Sequence, residues 1–410
     1  MAPRALFDKS FLQAINIDES ALFDNFFYSV IAPIFYVETL ADLAKSPRPG
    51  RTAEQEVGSL ADKTPEVHST PTVYHRSLGI MSLLGASVPM NGKMLMAGPT
   101  IRSGKLLSVL QDAPKEAEAY ERWRDGEFLE VERRFAKSWR EALNGIDLLA
   151  LAGAMRALGV TPKNCRSLEE AKAMAAGLVA NTDVPALIKL AAITLGGDRT
   201  LEELSLARWR ESGQKSFPET APYAAYLVTV EVFFQIALAA DQIGANRKSN
   251  RTDMAYLFYL PFCNIFVSSD RLHERCVPHF LRGDQRFVCG PNLKEDLTRL
   301  AARYKELPED ELKKVLVSFD LTPPRDDEDG LIAKLWDMQG RDWRKEREPL
   351  PPQLIQALEE VVAKASVGQP ASSDEIEGDM SNVGMVSMNR TVRLKKGSFW
   401  QGPADAKTVE

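Results

Sequence analysis

Two short apolar runs that each lead to an acid place the strongest constraint on the fold of this chain. The first, in "RALFDKSFLQ", ends at Asp8, and the second, "NIFVSSD", ends at Asp270. Short continuous apolar runs are typical of buried parallel strands. Because ligands bind at the carboxyl ends of such strands, we expect Asp8 and Asp270 to lie close together if the two strands are neighbours in one sheet.

Two further acids lie on predicted helices. "PIFYVETLADLAK" predicts a helix that starts near Pro33 and carries Glu38, and "DMAYLFYLPF" predicts a helix led by Asp253 and ended by Pro261. Several carboxylates in one cleft repel each other unless a divalent cation neutralises them. We therefore expect Mg²⁺ or Mn²⁺ to be bound by Asp8, Glu38, Asp253 and Asp270.

The rest of the chain predicts a large helical part between these motifs. A chain of 410 residues has room for two or three domains. The prediction is an α/β fold with a mainly parallel sheet, a large all-helical insertion and a helical C-terminal appendage. Its parts are a discontinuous sheet domain (1–45 and 225–290), a long loop region with short strands (46–114), a helical insert (115–224), the appendage (291–366) and a flexible polar tail (367–410).

Composition excludes only a few classes of protein. A net charge of −6 argues against a chain coated in basic residues, although a local basic groove can still bind nucleic acid. Four widely spaced cysteines without a CxxC pair predict reduced thiols rather than a zinc site or disulfides. No secretory signal and no stretch of about 18 apolar residues is present, so we expect a cytoplasmic protein without a membrane contact.

Three motifs resemble those of the PIN-like nucleases. They are "LFDKSFL" near the N-terminus, "PIFYVETLADL" after the first helices and "RTDMAYLFYLPFCNIFVSSDRLH" late in the chain. The resemblance covers roughly the first 45 residues and the segment from about 225 to 290. It implies a doubly wound α/β fold, a Mg²⁺ or Mn²⁺ site built from three or four acids, and hydrolysis of phosphodiester bonds. The interval between Glu38 and Asp253 is much longer than in small members of the family.

The resemblance also implies roles for individual residues. Asp8 and Asp253 would bind the metal directly, while Glu38 and Asp270 would hold metal-bound waters or support the residues that bind the metal. Ser10 occupies the position at which the family often has a small hydroxyl residue beside the first acid, and Ser10 and Ser269 would support the acids. Metal-activated water would then attack the phosphodiester, so no nucleophilic side chain is required.

Basic residues flank Asp253 and Asp270, the two late acids of the chain, and predict contacts with phosphates. They are Arg247, Lys248, Asn250 and Arg251 before Asp253, and Arg271 and His273 after Asp270. We expect them at the rim of the cleft, with RNA favoured as the substrate by the resemblance and DNA left open. The helical insert is a candidate surface for a protein partner, and a homo-oligomer is left open.

Other interpretations of the same residues remain. Each acid alone has an ordinary use, as a turn residue, an exposed helical acid or a helix cap. Haloacid-dehalogenase-like phosphatases also have an acid after the first strand, but they need a second acid where Ser10 stands. A catalytically inactive PIN-like protein that uses its helical insert for interaction is the alternative from a different class.

Overall fold

The N-terminal part of the chain alternates strands and helices. The computed structural model describes residues 2–93, 100–103, 106–111, 115–308, 322–345, 369–370, 385–388 and 393–401. Asn16 begins the second helix in a capping box with Glu19, and Thr52 caps the fourth helix. The elements are β1 (Arg4–Phe7), α1 (Lys9–Ala14), α2 (Ile17–Phe26), β2 (Tyr28–Ile31), α3 (Pro33–Ala41), α4 (Ala53–Lys63), β3 (Ser69–Pro71) and α5 (His75–Leu83).

Helices make up most of the middle of the chain. Many of them begin at an acid or hydroxyl cap; Asp147, Ser167 and Asp183, for example, each accept a hydrogen bond from a backbone amide in the first helical turn. The elements are β4 (Thr100–Ser103), β5 (Leu106–Gln111), α6 (Lys115–Arg124), α7 (Glu130–Gly145), α8 (Leu148–Ala157), α9 (Leu168–Asn181), α10 (Val184–Thr194), α11 (Arg199–Glu211) and α12 (Phe217–Thr220).

The chain then returns to the sheet. A long apolar helix leads to a short helix that continues as a 3-10 helix over Tyr256–Phe262, and Pro261 lies in its last turn. The elements are α13 (Pro222–Ala239), α14 (Asn250–Ala255), β6 (Ile265–Ser268), α15 (Arg271–Cys276), β7 (Arg286–Cys289) and α16 (Gly290–Lys305). The strand predicted before Asp270 is thus confirmed. The predicted helical segment is also present, but it begins at Asn250 rather than Asp253 and is a 3-10 helix from Tyr256 onward.

Five of these strands form one parallel sheet in the order β3-β2-β1-β6-β7. Strand order reverses between β1 and β6, because the chain runs outward in one direction to β3 and later in the other direction to β7. At such a reversal, the loops that follow the two neighbouring strands run to opposite faces of the sheet. They leave a crevice at the carboxyl ends of the strands. The prediction of an α/β fold with a parallel sheet, and of β1 and β6 as neighbours, is confirmed.

One continuous cluster of buried apolar side chains joins the sheet and the helical part. Helix α13 packs against α5, α8 and α9, and it also contacts the 3-10 helix that precedes β6. Helix α16 packs against α1 and α2. The helical insert and the C-terminal helix therefore share the core of the sheet domain rather than standing apart from it.

The region from 46 to 114 is not only a loop. It contributes α4, α5 and the edge strand β3, whose short "STP" sequence carries no apolar pattern and is buried through its pairing with β2. Strands β4 and β5 form a second sheet with β8 (Gln369–Pro370) and β9 (Met385–Met388), in the order β8-β4-β5-β9. The short strands expected in this region are thus present, whereas helices α4 and α5 correct the expectation that the rest of it is a loop.

Part of the C-terminal region packs on the body of the protein. Helix α17 (Leu331–Asp337) places the Trp336 indole nitrogen 3.0 Å from the Phe26 carbonyl, to which it donates a hydrogen bond. The hairpin of β10 (Lys395–Lys396) and β11 (Phe399–Trp400) lies against α2. A wholly flexible tail was thus a wrong prediction, while residues 346–366 of the expected helical appendage lie outside the described residues.

Helix α13 is the one described helix long and apolar enough to cross a membrane, and most of it is buried inside the protein. The four cysteines carry free thiols, as predicted. Burial of α13 is compatible with a soluble protein.

Candidate functional site

Asp8 lies where β1 ends at the reversal of strand order. Phe7 is in register with Val267 of β6, and the Asp8 backbone amide donates to the Val267 carbonyl over 3.2 Å. The buried Asp8 side chain then caps α1 by accepting a hydrogen bond from the Phe11 amide at 3.1 Å. Sheet pairing and helix capping together fix this carboxylate at the carboxyl edge.

Two serines connect the ends of β1 and β6. Ser10 Oγ lies 2.9 and 2.7 Å from the two Asp8 carboxylate oxygens, to which it donates, and it accepts a hydrogen bond from the Ser269 amide over 3.0 Å. The buried Ser269 hydroxyl has no hydrogen-bond partner among the described residues. Ser10 therefore supports Asp8 directly, whereas Ser269 does so through its backbone.

His273 belongs to this cluster, although its place there was not predicted from the sequence. It was expected at the rim, but it is completely buried in the first turn of α15. Its Nδ1 lies 3.4 Å from Asp8 Oδ2 and 2.8 Å from Ser268 Oγ, and its Nε2 donates to the Asp253 carbonyl over 2.7 Å. The available signal was its position three residues after Asp270, at the start of a helix that leaves the sheet edge.

The charge of His273 is set by its partners. Burial alone would lower the pKa of the imidazole, but the hydrogen bond and charge of Asp8, aided by Asp253, raise it to about 9. His273 is therefore an imidazolium at neutral pH, and it supplies a fixed positive charge beside Asp8.

Asp253 lies in the first turn of α14 and is 8% exposed. Its Oδ2 accepts no hydrogen bond from the described residues, and the nearest cation is Arg247 Nη2 at 3.4 Å. Burial, then the charge of Glu38, raises the pKa of this carboxyl to about 7, against the opposing effect of His273. This carboxylate is incompletely satisfied by the protein around it.

Asp270 caps α15 at the end of β6. Its Oδ1 accepts the Leu272 amide at 2.7 Å, and its Oδ2 lies 2.8 Å from Arg247 Nη2. Burial would raise the pKa of Asp270, but the Leu272 amide and the Arg247 guanidinium outweigh it and hold the pKa below its usual range. Asp270 is thus ionised, and Arg247 contacts both late acids.

Glu38 completes the cluster from α3. The Tyr256 hydroxyl donates to its Oε2 over 2.5 Å, and Lys9 Nζ donates to its backbone carbonyl over 3.1 Å. Burial raises the pKa of Glu38, and the charge of Asp8 adds to that effect while Lys9 and His273 oppose it. Glu38 therefore shares the electrostatic environment of Asp8 and Asp253, although it lies 30 residues from Asp8 and 215 residues from Asp253 in the chain.

The structure therefore brings the four predicted acids into one neighbourhood. Within the part of the chain that the structure describes, however, no group of three or more His, Cys, Asp or Glu side chains is arranged to hold a metal ion. Arg247 and His273 provide the positive charge that lies directly against three of the acids. Carboxylate oxygens are the ligands that Mg²⁺ and Mn²⁺ prefer, and the unsatisfied Asp253 Oδ2 suits such an ion.

The predicted phosphate-binding residues fall into two groups. Asn250 is buried and donates to the Gly244 carbonyl, and Arg251 pairs with Glu231 at 2.8 Å and lies over the Phe234 ring. Because of these contacts, the side chains of both residues point toward the protein interior. The expectation that they lie at the rim of the cleft was therefore wrong. The other residues of the set lie at the surface: Arg247, Lys248, which donates to the Asn144 carbonyl, and Arg271.

Comparison of the chain with protein-family models, curated proteins and solved structures finds no match. The resemblance to PIN-like nucleases therefore depends on the three sequence motifs alone.

Proposed function

We propose that this protein is a Mg²⁺- or Mn²⁺-dependent PIN-like nuclease that hydrolyses phosphodiester bonds, with RNA favoured over DNA and a cytoplasmic location. The single observation that carries the proposal is the meeting of Asp8, Glu38, Asp253 and Asp270 where the strand order reverses. In open α/β sheets this crevice is the usual ligand site. A doubly wound fold with PIN-like topology is compatible with the strand order.

The acids have separate tasks in this proposal. Asp8 and Asp253 would bind the cation, and Glu38 and Asp270 would hold waters around it. When bound, the cation would supply activation of water and neutralisation of charge on the leaving oxygen. Ser10 and His273 hold the Asp8 carboxylate in one orientation, and Tyr256 does the same for Glu38.

The substrate would be held mainly by its phosphates. Arg271 and Lys248 are exposed near the late acids, and cationic contacts with phosphate give affinity with little reading of sequence. Selectivity would then come from elsewhere, for which the helical insert is the candidate. The same insert is the candidate surface for a protein partner.

A non-catalytic PIN-like interaction protein is the second candidate, and one observation favours it. Arg247 and the His273 imidazolium already supply positive charge to Asp8, Asp253 and Asp270. A cluster whose negative charge is partly balanced by its own side chains depends less on a metal ion for its stability. A haloacid-dehalogenase-like phosphatase is less well supported, because Ser10 stands where that class needs a second acid.

A cleavage assay separates these candidates. Labelled single-stranded RNA, single-stranded DNA and duplexes are incubated with the protein and Mn²⁺, alongside Asp8→Asn and Asp253→Asn. We expect cleavage of single-stranded RNA that depends on Mn²⁺ and is lost in both variants. Cleavage that survives both substitutions, or no cleavage of any substrate, would contradict the proposed function.

A further inference from the structure

Arg247 connects the two late acids through one nitrogen. Its Nη2 lies 2.8 Å from Asp270 Oδ2 and 3.4 Å from Asp253 Oδ2, while its Nε donates to Ser249 Oγ over 2.9 Å. The Arg247 side chain is 56% exposed, whereas those of Asp253 and Asp270 are 12% exposed. A cation that is mainly in solvent thus reaches down onto two mostly buried carboxylates.

The position of Arg247 matches the electrostatic need of the acids. Burial would lower the pKa of its guanidinium, but Asp270, Asp253 and Glu38 raise it instead. Removing positive charge from this place would leave buried carboxylates facing each other at high energetic cost. Arg247 therefore supplies positive charge to Asp253 and Asp270, as His273 supplies positive charge to Asp8.

Arg247 and a divalent cation would compete for the same oxygens. A metal ion binds carboxylate oxygens at about 2.0–2.6 Å, closer than the guanidinium lies. Asp270 Oδ1 already accepts the Leu272 amide, and Asp253 Oδ2 is the unsatisfied oxygen. Two cations within a few ångströms also repel each other strongly in a partly buried site. Binding of a metal at these oxygens thus requires the guanidinium to leave.

The surroundings of Arg247 allow it to leave. It lies in the segment between α13 and α14, outside any helix or strand, and its described side-chain contacts are the two acids and Ser249. Because more than half of the side chain is already in solvent, outward rotation has to break little besides these polar contacts. Rotation would place its charge at the mouth of the crevice.

We propose that Arg247 is an internal counter-cation that occupies the late acids in the metal-free protein and is displaced when a divalent cation binds. This inference rests on the proposed function, because it assumes the metal site. Arg247 then acts as a positioning residue that sets the affinity for the metal, and its displaced guanidinium is available to a phosphate of the substrate. A permanent bridge between Asp253 and Asp270 is the opposing interpretation.

Calorimetric titration with Mn²⁺ tests the inference on the full chain without any substrate. The proteins are the wild type, Arg247→Gln, Arg247→Lys and the control Arg271→Gln, which removes an exposed charge next to Asp270. If Arg247 occupies the site about nine-tenths of the time, its removal should tighten Mn²⁺ binding about tenfold. Arg247→Lys keeps the charge without the planar fork, so its affinity should lie between those of the wild type and Arg247→Gln.

The possible results are distinct. Tighter binding by Arg247→Gln than by Arg271→Gln supports displacement, and so does a larger rise in its melting temperature with Mn²⁺ than the wild type shows. Unchanged or weaker binding by Arg247→Gln, with normal binding by the wild type, overturns the inference and leaves the metal site intact. If Arg247→Gln does not fold, Arg247→Lys decides the matter, and affinity at or below that of the wild type overturns the inference. Absence of Mn²⁺ binding by every protein overturns the proposed function itself.

Discussion

His273 Nδ1 lies 3.4 Å from Asp8 Oδ2 at the point where β1 and β6 end, and both side chains are buried. The contact with His273 distinguishes Asp8 from Asp253. Asp8 is fully engaged by an imidazolium, a hydroxyl and a helix amide, whereas Asp253 Oδ2 has no hydrogen-bond donor. The two acids should therefore respond in opposite ways to loss of their charge.

Asparagine substitutions test this difference in stability. Asp8→Asn leaves the His273 imidazolium without its buried partner and should lower the free energy of unfolding by roughly 3 kcal/mol. Asp253→Asn removes a poorly satisfied charge and should raise the free energy of unfolding of the metal-free protein by about 1 kcal/mol at pH 8. Urea denaturation in the presence of EDTA measures both. Equal destabilisation by the two substitutions would refute the difference.

Stability of the metal-free protein should fall as pH rises. The pKa of Asp253 is raised from its ordinary 3.8 to about 7, so the folded protein holds a proton that the unfolded chain has lost across that range, and stability declines from about pH 4 to 7. The pKa of His273 is raised from 6.5 to about 9, so its stabilisation is complete below pH 6.5 and is lost as pH rises to about 9. Both groups thus change stability in the same direction.

Denaturation of the wild type and Asp253→Asn from pH 5 to pH 9 checks this expectation. Between pH 5 and 7 the wild type should lose stability more steeply than Asp253→Asn, because only the wild type has the titrating carboxyl. Parallel curves for the two proteins in that interval would mean that Asp253 has an ordinary pKa.

Tyr256 should matter for activity more than for folding. Tyr256→Phe removes the hydroxyl that donates to Glu38 Oε2 over 2.5 Å, and loss of such an orienting contact typically lowers metal affinity or activity by about 10–100-fold. Tyr223→Phe is the matched control, since it removes a buried hydroxyl that donates to the Phe258 carbonyl over 2.9 Å. Mn²⁺-dependent cleavage should fall in Tyr256→Phe alone. Equal loss of cleavage in both variants would indicate a purely structural effect.

The C-terminal hairpin should contribute to global stability. Lys396 Nζ is buried and donates to the Thr64 carbonyl over 2.9 Å, and the Ser398 amide donates to Asp18 Oδ1 over 2.7 Å. Lys396→Ala should lower the free energy of unfolding by about 2 kcal/mol. The neighbouring Lys395 is exposed and its Nζ lies over the Trp400 ring, so Lys395→Ala should lower it by less, about 0.5–1 kcal/mol. If the hairpin does not pack against the rest of the protein, the two variants should have the same free energy of unfolding.

The sequence predicted strands β1 and β6 because each contains a continuous apolar run. The runs before Asp8 and Asp270 are continuously apolar because β1 and β6 are central strands buried on both faces. Strand β2 was missed because "YSVI" lies in a longer apolar stretch in which helix and strand look alike, and β3 was missed because an edge strand of Ser, Thr and Pro has no apolar period. Long-range pairing, rather than local pattern, determines these two strands.

The acids of the site were predictable, but their counter-charges were not. An acid after a buried strand has a defined place at the edge of the sheet. Arg247 and His273 are ordinary basic residues in the sequence, and their roles arise from contacts with residues between 6 and 265 positions away in the chain. Such contacts depend on which loops the fold brings together at the reversal of strand order.

Anomalous diffraction from crystals soaked in Mn²⁺ would examine the site most directly. We expect one or more Mn²⁺ peaks within coordination distance of Asp8 and Asp253, near Glu38 and Asp270, with the Arg247 guanidinium moved away from the late acids. Saturating Mn²⁺ that leaves no peak at these acids, with Arg247 still between Asp253 and Asp270, would contradict both the metal site and the nuclease proposal.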